Sequence, residues 1–232
     1  SLSMLISFFS IFLTYNLVFL KGRNLNFFQE DVYLFFYLLF LTLALFFFFN
    51  YKNSFSSIFL SLVSSITNIG FSMKNIPSNL SIFFLILVII GGSFFSTSSG
   101  IRFLKIYALF KFSINNLISH AKPKNIFLDK SIIFDISYKK DEIYKYFLSI
   151  LIFLISLFIL TSLLSLSGLS INSALKLSIL TLMNTVNSST YGLENLNFSS
   201  MTTITKYCLM LFMVIGRVEL ITVLIILKKF LF

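Results

Sequence analysis

Gly91-Gly92-Ser93-Phe94-Phe95-Ser96-Thr97-Ser98-Ser99-Gly100-Ile101-Arg102 cuts through the middle of an otherwise apolar run that extends from Leu80 to Phe112. Crossing a bilayer takes only about 20 apolar residues, and this run is longer, yet it gives up helix-forming side chains at its centre. Backbone that leaves the helix at bilayer depth must be buried in protein or line a water-filled cavity, because lipid offers its N–H and C=O groups no partners. The interruption therefore predicts a broken membrane helix beside a pathway for a polar solute.

The composition agrees with that reading. The chain has 57% hydrophobic and 11% charged residues, whereas roughly a quarter of the residues of soluble domains are charged. An all-α polytopic membrane protein is expected, with the lipid bilayer as its first partner. The abundance of Phe, Ile, Ser, Asn and Lys has the look of an AT-rich genome, so the 32 phenylalanines read as lipid-facing filler rather than as an aromatic site. A net charge of +10 raises the question of nucleic acid, but the positions of the charges answer it. Arg102, Lys105, Lys111, Lys122, Lys124, Lys130, Lys139, Lys140 and Lys145 fall between two large hydrophobic blocks, and Lys21, Arg23, Lys228 and Lys229 flank other spans. That is the pattern of cytoplasmic loops under the positive-inside rule, with no nucleic-acid partner.

Several kinds of chemistry are not expected. Cys208 is the single cysteine and His120 the single histidine, and neither has a ligating neighbour in sequence, so metal and Cys–His chemistry is set aside. Paired carboxylates and a nucleophile–base pair are missing, and Gly91 to Gly100 lacks the Gly-Lys-Ser/Thr ending of a phosphate loop, so neither an enzyme nor a cofactor is expected. The start has no basic n-region or cleavage site that would make it a signal peptide.

Reading along the chain, a span from Met4 to Leu20 is closed by Lys21-Gly22-Arg23, and a polar linker leads to a second span from about Val32 to Phe49. Ser54 to Ile66 is apolar but too short to cross, which suits a re-entrant stretch, and it ends on Thr67-Asn68-Ile69-Gly70-Phe71-Ser72. The broken segment then returns to a charged loop from Lys111 to Glu142, within which Ile114 to Ile118 reads as a short surface helix. The same order follows again: a span from Ile143 to Leu166, a short stretch from Ile171 to Met183, a polar turn from Asn184 to Tyr191, and a span from Thr203 to Leu227. Two parallel repeats of span, re-entrant pore helix and span suit the wall of a central ion pore. With one span left over in front, the chain has the look of the C-terminal half of something larger.

Two places carry residue types suited to ion handling. Thr67 to Gly70 offers backbone carbonyls at the end of a re-entrant stretch, and carbonyl rings replace the hydration shell of a monovalent cation without fixed negative charge. Asn and Gly are equally at home in an ordinary turn, so these residues alone leave both readings open. In Gly216-Arg217-Val218-Glu219, two ionisable residues sit inside the last span, where charge is costly unless it faces a cavity or a partner. They are two apart and cannot share a helix face. Which of them faces the pathway stays open.

Taken in order, Thr67-Asn68-Ile69-Gly70-Phe71-Ser72, the Gly91 to Arg102 string and Gly216-Arg217-Val218-Glu219 resemble the potassium uptake proteins of the TrkH, KtrB and HKT superfamily, with TrkH the nearest. The resemblance implies the third and fourth span–pore helix–span repeats of such a protein. Residues 1–31 would be the last span of the preceding repeat with its linker, 32–112 repeat three, 113–142 a cytoplasmic loop and 143–232 repeat four. It implies potassium uptake through a filter made by Thr67, Asn68, Ile69, Gly70, Thr185, Val186, Asn187 and Ser188, with Asn187 set at the filter glycine. It makes Gly91, Gly92, Ser93, Ser96, Thr97, Ser98, Ser99 and Gly100 an intramembrane gating loop, in which Phe94 and Phe95 replace smaller residues, and Arg217 a basic barrier in the pore. Potassium would be the only metal, as transported ligand. A bacterial inner (plasma) membrane location, a homodimer and a TrkA-like cytoplasmic nucleotide-binding subunit, docked on the basic loop from Lys111 to Lys145, are implied as well. A secondary transporter of another small solute, or an inactive fragment, is the alternative.

Overall fold

In the computed structural model, residues 2–9, 25–48, 55–71, 80–93, 96, 98–121, 140–185, 189–193, 196 and 198–217 are described. Their secondary structure is helical, with no strand among the described residues apart from a single parallel bridge between Ile90 and Ile101. Helix α1 spans Leu2–Phe8, α2 Leu25–Phe48, α3 Phe55–Ile66, α4 Ser81–Ile89, α5 Phe103–Ala121, α6 Lys140–Leu166, α7 Ile171–Leu182 and α8 Thr203–Arg217. Short 3-10 turns at Ser189–Tyr191 and Phe198–Ser200 lie between α7 and α8.

Two helices run further than the sequence reading had them. Helix α2 starts at Leu25 and takes in the stretch read as a polar linker, with Glu30 and Asp31 buried. Gln29 and Glu30 are good helix formers and no Gly or Pro interrupts the segment, so nothing local opposes the earlier start. Helix α5 continues to Ala121 without a break, so Ile114 to Ile118 is its last part and not a separate surface helix. The first proline after it is Pro123, and a helix ends at or before the residue preceding a proline.

Helix α6 is the long one. Its stretch Glu142–Leu166, of 25 residues, is long and apolar enough to cross a membrane. Tyr144, Phe147, Leu151, Leu154 and Phe158 lie exposed along it, whereas Ile143, Phe153, Leu160 and Leu164 are buried, a division that follows helical periodicity. The chain then turns at Ser167-Gly168, and Ser170 caps α7 by accepting a bond from the Ser173 N–H. Helices α3 and α7 have 12 residues each. At 1.5 Å per residue each is about 18 Å long, well short of a crossing.

The short helices sit in the centre. Leu62, Val63 and Ile66 of α3, Phe84 and Val88 of α4, Leu160 and Leu164 of α6, and Leu177, Leu180 and Leu182 of α7 belong to one buried cluster. Packing of α3 on α4, α4 on α7, α7 on α6 and α8 on α7 carries that cluster from one half of the chain into the other. The C-terminal ends of α3 and α7 are thereby buried inside the bundle.

Candidate functional site

Both short helices end in the same way. At the end of α3 the Asn68 N–H bonds the Ser65 carbonyl at 3.2 Å and the Ile69 N–H bonds the Ser64 carbonyl at 3.1 Å. At the end of α7 the Asn184 N–H bonds the Thr181 carbonyl at 3.1 Å and the Thr185 N–H the Leu180 carbonyl at 2.9 Å. Each is a Schellman closure with its left-handed residue just past the helix. That residue is an asparagine both times, with φ of 60° at Asn68 and 52° at Asn184, and asparagine tolerates this region better than most side chains. Two residues beyond Asn68, Gly70 has φ of 77°.

This likeness bears on register. Counted from the two caps, Val186 stands in the place of Gly70, whereas the motif spacing had set Asn187 there. Val186, Asn187 and Ser188 lie outside the described residues. Thr185 is described and buried, and the Asn184 Nδ2 donates to the Met213 carbonyl of α8 at 2.8 Å.

Between α4 and α5 the interrupting string folds back on itself. The Gly91 N–H bonds the Ile101 carbonyl at 2.9 Å, the Ile101 N–H bonds the Ile89 carbonyl at 3.0 Å, and the Phe103 N–H bonds the Gly92 carbonyl at 3.2 Å. The two ends of the loop are thus zipped together, which requires glycine. A Cβ on Gly91 would meet the Ser99 carbonyl oxygen at 2.5 Å, and one on Gly100, at φ of 104°, would meet the Gly91 Cα at 2.9 Å.

Hydroxyls and one guanidinium hold the interior of the loop. Ser98 Oγ accepts from the Gly92 N–H at 2.9 Å and shares a hydrogen bond with Ser96 Oγ at 2.8 Å. Arg102 Nη1 lies 3.2 Å from the Ser93 carbonyl, 3.1 Å from that of Ser96, 3.4 Å from that of Ser98 and 3.4 Å from Ser96 Oγ. Three carbonyls and a hydroxyl converge on a tethered cation. Outside the loop, the Ser93 N–H donates to the Phe8 carbonyl of α1 at 3.1 Å, and the Asn68 Nδ2 donates to the Ser99 carbonyl at 2.7 Å.

The sequence-predicted residues Thr67 to Gly70 and the described residues of Gly91 to Gly100 are therefore neighbours, joined by Asn68 and Ser99. Phe94, Phe95, Thr97 and Glu219 lie outside the described residues. Arg217 ends α8 next to Gly216, which has no room for a side chain because a Cβ there would strike the Leu182 carbonyl at the end of α7. This brings the Arg217 backbone close to the second turn. A cavity between the loop and the second turn is lined by Gly100, Ile101, Lys105, Ser149, Met183 and Gly216, among others. Lys105 is buried there, with Nζ 3.4 Å from Ser149 Oγ.

Two residues near the turns were not singled out from sequence. Tyr191 is almost wholly buried and its hydroxyl bonds Ser65 Oγ at 3.3 Å, which ties the segment after the second turn to the helix before the first. Its only sequence signal is an aromatic among Ser, Thr and Gly. Asn184 was read as the start of a polar turn rather than as a cap. Among the described residues, the buried oxygens Ser64 Oγ, Asn68 Oδ1, Ser93 Oγ and Thr185 Oγ1 have no hydrogen-bond partner. These four belong to the two helix ends or the loop, whereas the Tyr33 hydroxyl, the fifth buried oxygen of this kind among the described residues, lies in α2. Leaving such a group unpaired costs about 1–3 kcal/mol, and four of the five such oxygens among the described residues stand at these places.

Comparison with known proteins bears on the fold and the family. Among solved structures, the crystal structure of the potassium transporter TrkH from Vibrio parahaemolyticus is similar, with a TM-score of 0.73 and 22% identity over 97% of this chain and 50% of that one. The chain thus spans about half the length of that protein. No curated protein sequence matches. A protein-family model described as "TrkH: Cation transport protein" matches residues 49–231, which takes in both helix ends, the loop and Gly216-Arg217. The chain belongs to the TrkH family of cation transport proteins.

Proposed function

We propose that this chain supplies two of the span–pore helix–span repeats around the potassium path of a multi-pass membrane transporter. Residues 32–112 form the first of the two repeats and 143–232 the second, with 1–31 belonging to the repeat before them and 113–142 to a cytoplasmic loop. The single observation that carries the proposal is the pair of matching helix ends. Two short helices, neither long enough to cross, stop inside the bundle on the same asparagine-capped closure, each with a buried hydroxyl oxygen left over at Ser64 and Thr185. A re-entrant helix that ends at bilayer depth presents backbone to a polar path, and a repeat of the device suits a ring of strands.

Potassium is proposed as the ion because the similar solved structure is that of a potassium transporter. Thr67, Asn68, Ile69 and Gly70 form one filter strand, and Thr185, Val186, Asn187 and Ser188 form another. The loop from Gly91 to Gly100, with Thr97 among its residues, is the gate below them, and Arg217 is a basic barrier at the pore. Two repeats enclose part of such a path, so the remaining strands come from the rest of a longer chain or from a second copy. A homodimer in the bacterial inner membrane, docked through the basic segment Lys111 to Lys145 on a nucleotide-binding regulatory subunit of the TrkA kind, completes the proposal.

The test is growth of potassium-uptake-deficient cells on low potassium when the intact transporter is expressed. Rescue, together with uptake of the potassium analogue rubidium by those cells, is expected. Insertion into the membrane without rescue or uptake would overturn the assignment, and inhibition of uptake by an organic solute would favour a secondary transporter.

A further inference from the structure

The loop between α4 and α5 keeps its own shape through the Ile90–Ile101 bridge, the serine hydroxyls and Arg102. What fixes that body to its surroundings is a separate matter. One attachment is main chain, from Ser93 to Phe8. Another, among the described residues, is a side chain, the Asn68 amide, whose Nδ2 reaches the Ser99 carbonyl at 2.7 Å in buried surroundings. Asn68 cannot follow Ser99 if the loop moves, because its own backbone is locked by the Schellman closure at the end of α3.

The left-handed cap by itself does not call for an asparagine. Glycine satisfies that conformation without a side chain and is the usual residue in this motif. An amide buried to 6% relative exposure is costly unless it is hydrogen-bonded, and Oδ1 has no partner among the described residues. The compensating bond is the one to Ser99. We infer that Asn68 is a latch between the proposed filter turn and the loop below it, so that displacement of the Ser99 segment requires the Asn68–Ser99 bond to break. Asn68 is thus a positioning residue, acting on the ion path through the loop, and the inference rests on the proposed ion path for its functional meaning. It adds a coupling between the two parts: strain at the filter turn reaches the loop, and release of the loop frees the turn.

The test uses the intact transporter in liposomes with Cys208→Ala and Ser93→Cys. Ser93 is fully buried and its Oγ has no partner among the described residues, so sulfur there gives up no hydrogen bond and reports exposure of the loop. Modification of that thiol by a water-soluble methanethiosulfonate reagent is timed with Asn68 present and with Asn68→Gly, which keeps the left-handed cap and removes the amide. Loss of one buried hydrogen bond predicts modification about fivefold to tenfold faster. An unchanged rate in Asn68→Gly overturns the latch, because a residue needed only as a cap is replaced by glycine without effect.

Should that variant not be recovered from membranes, Asn68→Asp decides. At alkaline pH an ionised carboxylate sets an oxygen against the Ser99 carbonyl, and at acid pH the neutral acid restores an O–H donor, so its rate relative to the Asn68 chain is expected to fall from the first pH to the second. A ratio that does not fall overturns the latch. Rubidium flux in the same liposomes separates the two ideas. Faster modification, with no flux even in liposomes that hold the chain with Ser93, Asn68 and Cys208 unaltered, keeps the latch and rejects the ion path, whereas flux by that unaltered chain with an unchanged modification rate does the reverse.

Discussion

Gly70 and Arg102 show how much depends on single residues. Gly70 lies in the left-handed region with φ of 77°, where a β-branched side chain is a steric outlier. Gly70→Val is therefore expected to reduce potassium uptake by about tenfold or more, given roughly 1–2 kcal/mol for one left-handed L-residue, while membrane insertion is retained. Uptake and ion selectivity equal to those of the parent would remove Gly70 from the proposed filter. Arg102 was quoted in the sequence motif without a role, and the structure supplies one: its guanidinium sits among the carbonyls of Ser93, Ser96 and Ser98. Arg102→Gln leaves those oxygens facing one another. Hydrogen bonds to a charged group are worth about 1.5–3 kcal/mol, which for a domain of this size lowers the melting temperature by roughly 5 °C. Arg102→Lys, which keeps the charge but not the fork, should recover part of the loss. Thermal unfolding of the purified transporter checks both variants, and an unaltered Arg102→Gln profile would show that the loop holds its shape without the guanidinium.

Elements were legible where their pattern was local. The short apolar stretches that became α3 and α7 stood out by length, and the interruption at Gly91 stood out because glycine and serine replace apolar residues there. The long reach of α2 and α5 was not legible: the start of α2 mixes polar and apolar residues and is settled by burial of Glu30 and Asp31, and the end of α5 carries Ser113, Asn115 and Asn116, which are no better than middling helix formers. Nor was the shared cap, because Asn68 follows a threonine and Asn184 a methionine, so the motif letters align one residue away from the backbone closures. The tie between Tyr191 and Ser65 is a long-range contact with no local sequence signature at all. It gives a prediction at this scale. Tyr191→Phe removes one hydrogen bond and should cost about 1 kcal/mol, whereas Tyr191→Ala empties a buried aromatic site and should cost about 3–5 kcal/mol. If the tie also steadies the first turn, Tyr191→Phe will shift the ratio of potassium to sodium uptake without changing the amount of protein in the membrane. An unchanged ratio would confine Tyr191 to packing.

At the scale of the whole molecule, the exposed side of α6 tests which solvent surrounds the bundle. Phe158 is 74% exposed in the middle of that helix, a position where water would tolerate lysine with little effect. In hydrocarbon a lysine near the helix centre costs about 2.5–3.5 kcal/mol. Phe158→Lys is therefore expected to reduce the fraction of chains recovered in the membrane several-fold, while Phe158→Leu leaves it unchanged, as read by fractionation. Equal recovery of both would place that face away from lipid. Composition had already made the membrane class plain, because it sums over the whole chain. The arrangement of the helices around one buried cluster came only from the contacts between distant helices, which no single stretch encodes.

The bond from the Ser93 N–H to the Phe8 carbonyl has a consequence for biogenesis. The loop takes its main-chain acceptor from α1, a helix that leaves the ribosome long before Gly91 does. Synthesis from the N-terminus thus lays down a template first and the part to be moulded on it afterwards. A nascent chain halted between these two points holds the template with nothing to shape, and a chain started after α1 carries the loop without the acceptor that Phe8 supplies to the Ser93 N–H.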